Sequence, residues 1–104
     1  MSHDELPAPK TQDELKAEEA AATAEFNSKL KPPYITMHQR LTRNGVLVKE
    51  YMALPCDPVN PRKTIETAAA PGFDNKAKIA LKRFGKARTD MVGGYYFEFV
   101  LVTK

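Results

Sequence analysis

Few side chains in this sequence could carry acid–base or nucleophilic chemistry, namely His3, His38 and Cys56. Each would need a second titratable group held beside it, and no spacing along the chain supplies one. One cysteine and two histidines are also too few for the paired ligands of a structural zinc site. Gly85-Lys86 lacks the upstream glycine and the following hydroxyl residue of a phosphate-binding loop. The sequence therefore predicts a protein that is not an enzyme, with no metal site and no cofactor.

A row of cationic side chains is the first candidate binding feature. Lys78, Lys82 and Lys86 recur at every fourth position, which would place their ammonium groups in line on one face of a helix. No aspartate or glutamate occurs between Lys76 and Arg88. Because like charges at this spacing destabilise an isolated helix by roughly 0.2–0.5 kcal/mol per pair, the row indicates a negatively charged partner.

A second cationic surface is predicted on a β-hairpin over residues 34–54. Arg40 and Lys49 are expected to face each other across its strands, and such a like-charge pair favours a bound anion. Tyr34 and Tyr51 are expected on the same surface, where aromatic rings can stack on nucleic-acid bases. The predicted nucleic-acid or anion-binding residues are therefore Lys78, Lys82, Lys86, Arg40, Lys49, Tyr34 and Tyr51.

Charge is divided unequally along the chain. Residues 1–28 carry seven acidic and two basic side chains, and residues 29–104 carry six acidic and fourteen basic ones, so the segments have net charges of −5 and +8. Separated blocks of this kind neutralise each other or meet outside partners. Within the acidic block, the predicted contacts with a protein partner are Glu14, Glu18 and Glu25, which line up as a ridge, and the nearby Phe26.

The acidic block is predicted to be a helix. It begins at a capping box, in which the hydroxyl of Thr11 accepts a hydrogen bond from the N–H of Glu14. It ends before Pro32-Pro33, because proline cannot continue the helical hydrogen bonds. Its apolar stripe is thin and consists of Leu15, Ala22, Phe26 and Leu30. We expect a weakly anchored accessory helix that docks on the lysine row or on a foreign surface.

The hairpin carries the strongest local signal in the sequence. Asn44-Gly45 is typical of a type I′ turn, in which both residues adopt positive φ. A two-residue turn would place Leu41 opposite Val48, and Met37 opposite Met52. We therefore expect a regular hairpin with a defined register.

The rest of the chain is predicted to add a helix and a strand. A proline-stiffened connection with a turn of helix near residues 64–69 leads to an amphipathic helix over residues 73–88. Gly93-Gly94 separates this helix from a last strand over residues 95–102. That strand is apolar on both faces except at Glu98, which indicates a central place in a sheet or burial against a partner.

These elements predict an α+β fold with one small domain. The order is N-terminal helix, β-hairpin, second helix and C-terminal strand, with a three-stranded sheet packed on a helix. Residues 1–10 are expected to be disordered, residues 11–31 to form the acidic accessory helix, and residues 33–104 to form the basic α+β domain.

Function is predicted to be binding without catalysis. The favoured hypothesis is a protein-binding regulator or inhibitor that acts on a larger, nucleic-acid-associated assembly. The alternative is a nucleic-acid-binding protein that uses the basic helix and the hairpin. The doubly apolar last strand also allows for a homodimer. A single cysteine and the lack of a long apolar segment favour a cytoplasmic protein without membrane association.

Overall fold

A computed structural model describes residues 11–104, so the predicted disorder of residues 1–10 lies outside the described part of the chain. The fold is α+β, with three helices and one antiparallel sheet of four strands in the order β2-β1-β4-β3. In chain order the elements are α1 (Gln12–Ser28), β1 (Tyr34–Leu41), β2 (Leu47–Pro55), α2 (Pro61–Thr67), α3 (Asn75–Phe84), β3 (Lys86–Met91) and β4 (Tyr95–Val102).

The sheet has one strand more than predicted. The helix expected over residues 73–88 ends at Phe84, because Gly85 adopts a left-handed conformation (φ 75°) and its N–H donates to the carbonyl of Leu81. The chain then continues as β3, a strand that the sequence reasoning had included in the helix. As predicted, β4 is central, since β1 and β3 pair with its two sides.

The first hairpin is confirmed, but its turn and register differ from the prediction. Only Gly45 has positive φ (71°) in the turn, so the type I′ assignment is wrong. The N–H of Gly45 instead donates to the carbonyl of Leu41 at 2.8 Å, which closes a longer loop. Two irregularities then shift the pairing, and Met37 lies opposite Tyr51 rather than Met52.

The core lies between one face of the sheet and helices α2 and α3. Its most deeply buried side chains are Ile65 of α2, Leu81 of α3 and Phe99 of β4. Phe73 packs on Phe99 with ring centroids 4.9 Å apart. Because β1 and β4 each send alternate residues to this side, the apolar period of the strands and that of α3 meet in one cluster.

Unlike α2 and α3, which pack on a face of the sheet, helix α1 lies along the outer edge of β2. Thr11 caps its start as predicted, with the hydroxyl accepting from the N–H of Glu14 at 3.1 Å. Thr23 is the one side chain buried within α1. The side-chain amide of Asn27 accepts from the N–H of Ala53 at 2.8 Å and donates to the carbonyl of Tyr51 at 3.1 Å. It thereby pairs with an exposed strand edge as a neighbouring strand would.

Candidate interaction surfaces

The predicted row of lysines is not a row in the structure. Lys78 and Lys82 point toward α2, where Lys78 Nζ donates to the carbonyl oxygen of Glu66 at 3.0 Å. Lys82 Nζ lies 2.8 Å from Glu66 Oε1, and this ion pair lowers the pKa of the Glu66 carboxyl. Lys86 belongs to β3 and not to the helix. The expected repulsion is therefore relieved by a carboxylate on the neighbouring helix, which sequence spacing could not reveal.

The expected pairing of Arg40 with Lys49 across the hairpin is wrong. The irregular pairing puts Leu47 opposite Arg40 and Gln39 opposite Lys49. Arg40 Nη1 donates to the carbonyl of Gly45 at 2.8 Å, and its Nε lies 3.3 Å from a carboxylate oxygen of Glu98.

Lys49 is also matched by a carboxylate. Its Nζ lies 3.0 Å from Glu19 Oε1 on α1, and this hydrogen bond raises the pKa of the lysine. The contact joins β2 to α1 alongside the bonds of Asn27. Both hairpin cations thus have internal partners, contrary to the expectation that they would be left unmatched.

The two candidate stacking residues lie on opposite faces of the sheet, contrary to the expectation of a shared surface. Tyr51 is on the helix-covered face, where its ring meets Phe97 edge-on with centroids 5.9 Å apart and its hydroxyl donates to Gln39. Tyr34 lies on the other face, opposite Val102. Tyr34 and Tyr51 therefore cannot form one stacking platform.

The sheet face that α2 and α3 do not cover is electrically balanced. One row of cross-strand neighbours runs across all four strands as Glu50, His38, Glu98 and Arg88. The cations of this face are Arg40, Lys86 and Arg88, and its carboxylates are Glu50, Asp90 and Glu98. Because equal numbers of opposite charges alternate here, this face offers little net attraction to phosphate groups.

Of the three side chains first considered for catalysis, His3 lies outside the described residues, and His38 and Cys56 lie in different parts of the fold. His38 Nε2 lies 3.8 Å from Glu50 Oε2 on the open sheet face. Cys56 is buried in the core, and burial raises the pKa of its thiol, which disfavours the nucleophilic thiolate. Residues 11–104 contain no group of three histidine, cysteine or acidic side chains placed to hold a metal ion.

A different set of cations is left without carboxylate partners among residues 11–104. Arg62, Lys76 and Arg83 are exposed around Ile79, whose surface is 58% accessible. We call these four residues the basic ridge. A shallow groove of about 390 Å³ between α2 and α3 is lined by Arg62, Ile79, Lys82 and Arg83.

The sequence did contain a signal for this ridge. Ala77 and Leu81 are the buried residues of α3, and Ile79 lies roughly opposite them at about 100° per residue. An apolar side chain on the solvent side of an amphipathic helix, between Lys76 and Arg83, was a better indicator of the basic ridge than the regular spacing of the lysines.

Three of the four residues of the predicted apolar stripe are exposed on α1, whereas the fourth, Leu30, follows the end of the helix and is half-buried. Leu15 is 51% exposed, Phe26 is 38% exposed, and Ala22 is exposed between them. The residues that meet β2 are instead Thr23 and Asn27, about a quarter-turn around the helix.

The predicted partner-binding residues are on this outward side. Glu14, Glu18 and Glu25 flank the stripe, and Glu25 forms an exposed ion pair with Lys29 at 3.0 Å. We call the surface made by Leu15, Ala22 and Phe26 with these three glutamates the acidic stripe. This surface combines exposed apolar side chains with negative charge, and exposed apolar patches commonly mark interaction sites.

A groove of about 620 Å³ lies between α1 and β2. Ala17 and Ala20 of α1 face Leu47 and Val48 of β2 across it. The ion pair between Glu19 and Lys49 joins its two walls. The groove is thus a gap that small side chains leave between the helix and the strand, and the ion pair spans it.

No helix in residues 11–104 has the length and apolar character needed to cross a membrane. Comparison of the chain with protein-family models, with curated proteins and with solved structures gives no match. The interaction surfaces must therefore be judged by their own chemistry.

Proposed function

We propose that this protein is a non-catalytic, protein-binding regulator or inhibitor that contacts its target through the acidic stripe. The observation that carries the proposal is the orientation of α1. This helix leaves Leu15 51% exposed and Phe26 38% exposed, while a polar residue, Asn27, holds it on the sheet. Apolar side chains that stay exposed on one side of a helix are typical of a site for another macromolecule.

The chemistry of the stripe describes its target. Leu15 and Phe26 lie on one side of α1 at helical spacing, the pattern by which a helix enters an apolar groove. The adjacent glutamates favour a groove with a basic rim and disfavour an acidic one. Because Asn27 and the ion pair of Glu19 hold α1 against β2, the helix is ordered before it binds, which reduces the entropy lost on association.

The alternative, nucleic-acid binding, is supported by the basic ridge. Arg62, Lys76 and Arg83 have no carboxylate partner in the described chain, whereas Lys49, Lys82 and Arg40 do. Neutralisation of about three phosphates corresponds to a slope of roughly −3 in log K against log salt concentration. Such a site would bind weakly and with little sequence preference, so we favour the protein target.

Affinity capture with the full chain tests the two functions. The variant Leu15→Ser/Phe26→Ser removes the apolar part of the acidic stripe, and Val92→Ser is the matched control because Val92 is 98% exposed on a distant turn. We expect the same protein to be retained by the wild type and the control, after nuclease treatment, and to be lost with the double variant. Retention by the double variant would reject the stripe as the contact.

Titration with single- and double-stranded oligonucleotides at low and moderate salt tests the alternative. If the protein target is right and nucleic acid is not a ligand, neither the wild type nor Arg62→Gln/Lys76→Gln/Arg83→Gln should bind the oligonucleotides tightly. Tight binding by the wild type that this triple variant abolishes would instead assign the basic ridge to nucleic acid.

A further inference from the structure

We propose that the acidic stripe of one molecule also docks on the basic ridge of a second copy of the same chain. The contact is head to tail and joins two different surfaces. The inference rests on the proposed function in one respect, since it uses the same face of α1. Its partner, a second copy of the chain, is present whenever the protein is concentrated.

Opposite charge is the first argument for this pairing. Helix α1 carries five carboxylates and one lysine, a net charge of −4, although Glu19 and Glu25 already form ion pairs with Lys49 and Lys29 outside the helix. Helices α2 and α3 together carry six cationic side chains and one carboxylate, a net charge of +5. Two surfaces of opposite sign attract each other and disfavour contact with their own kind, so α1 against α3 is preferred over α1 against α1.

Both surfaces also have an apolar centre, which is what gives a polar contact its affinity. Leu15 and Phe26 are exposed on α1, and Ile79 is exposed in the middle of the basic ridge. Docking would therefore remove apolar side chains from water on both molecules.

The fold prevents the two surfaces from meeting within one molecule. Helix α1 packs on β2, at one edge of the sheet, whereas α3 packs on β3 and β4, toward the other edge. The hydrogen bonds of Asn27 to the backbone of Tyr51 and Ala53 hold α1 in that place. The predicted docking of the acidic helix on the basic helix is thus available between molecules and not within one.

A head-to-tail contact has a specific consequence. Each molecule in a pair still offers one unused surface, so association continues to a closed ring or an open chain. The contact should weaken as salt rises, because exposed charges are screened over about 10 Å at 0.1 M ionic strength. A symmetric dimer would stop at two copies.

The decisive experiment uses two variants of the full chain that each lack one surface. Glu14→Gln/Leu15→Ser/Phe26→Ser removes the two large apolar side chains and one carboxylate of the acidic stripe, and Arg62→Gln/Lys76→Gln/Arg83→Gln removes the three cations of the basic ridge. Light scattering at low salt should show each variant as a monomer while the wild type forms larger species. An equimolar mixture should give a dimer and nothing larger, because one intact stripe and one intact ridge remain.

A control variant excludes a general effect of charge. Lys31→Gln/Arg43→Gln/Lys86→Gln removes the same number of exposed cations from other places and should associate like the wild type. Circular dichroism of each variant confirms that it is folded. A monomeric wild type at all concentrations, a mixture that stays monomeric, or association that nuclease abolishes would overturn the proposal.

The outcome is separable from that of the proposed function. If the wild type is monomeric but the captured protein is still lost with Leu15→Ser/Phe26→Ser, only self-association fails. If the mixture dimerises but no other protein is captured, only the foreign target fails.

Discussion

The two longest helices of the described chain, α1 and α3, are held in place by different kinds of contact. Helix α3 is ten residues long and buries Ala77 and Leu81 against the sheet, with Asp74 capping its start and Gly85 ending it. Helix α1 is seventeen residues long, yet Thr23 is its one buried side chain and Asn27 provides its main hydrogen bonds to the sheet. Length does not measure how firmly a helix is attached. An apolar face determines the position of α3, whereas the polar edge of β2 determines that of α1.

The largest expected effect on the free energy of unfolding comes from truncating Leu81, the core side chain of α3. Leu81 has no accessible surface, so Leu81→Ala should reduce the free energy of unfolding by about 2–5 kcal/mol, because a cavity remains in the core. Chemical denaturation measures this loss. Ile79→Ala on the exposed side of the same helix should change stability by about 0.5 kcal/mol or less. Equal effects would show that α3 is not packed as described.

Asn27→Leu should have the next largest effect, and it should be local. The variant leaves the N–H of Ala53 and the carbonyl of Tyr51 without partners, at a cost of about 1–3 kcal/mol. Hydrogen exchange of the Ala53 amide should accelerate, while the amides of α3 keep their protection. Ala24→Ser, on an exposed part of α1, is the control and should leave both unchanged.

The N-terminal caps of α1 and α3 make the same kind of hydrogen bond, but only α3 packs in the core. The side chain of Asp74 accepts from the N–H of Ala77 at 2.9 Å, as Thr11 does for Glu14 at 3.1 Å. Each change to alanine should cost about 0.5–2 kcal/mol locally. Because α3 folds with the core, Asp74→Ala should lower the global melting temperature, whereas Thr11→Ala should mainly reduce helicity. A similar fall in melting temperature for both would mean that α1 unfolds together with the core.

The smallest effect concerns the ion pair between Lys82 and Glu66. Since the pKa of Glu66 is lowered below its ordinary 4.5, the contribution of this pair is present above that pH and is lost as pH falls through the lowered pKa. A carboxyl titration followed by NMR should show a midpoint below 4.5 for Glu66. Lys82→Gln should raise that midpoint toward the ordinary value. A midpoint that does not move would show that another group lowers it.

The predictions made from sequence succeeded where the signal was local. The cap at Thr11 and the existence of the first hairpin are confirmed, and of the two alternatives given for the last strand the structure has the central place in the sheet. The error at Gly85 was also local, because a glycine that ends a helix was treated as part of one, and this removed β3 from the predicted sheet. The alternation of Ala87, Thr89 and Met91 could have identified that strand.

The candidate sites were harder to predict than the elements. Lys82 and Glu66 are sixteen residues apart, and Lys49 and Glu19 are thirty apart, so no spacing along the chain could show that they form ion pairs. The exposed Ile79 between Lys76 and Arg83 was visible as a pattern, but its meaning depended on which side of α3 would be covered.

The sequence by itself determined the cap of α1 at Thr11, the order of most elements and the separation of charge between α1 and the rest of the chain, because these depend on neighbouring residues. Only the tertiary structure decided which charges are neutralised and which apolar side chains remain in water. Both depend on contacts between distant residues, and above all on the backbone edge of β2, whose bonds with Asn27 turn Leu15 and Phe26 outward.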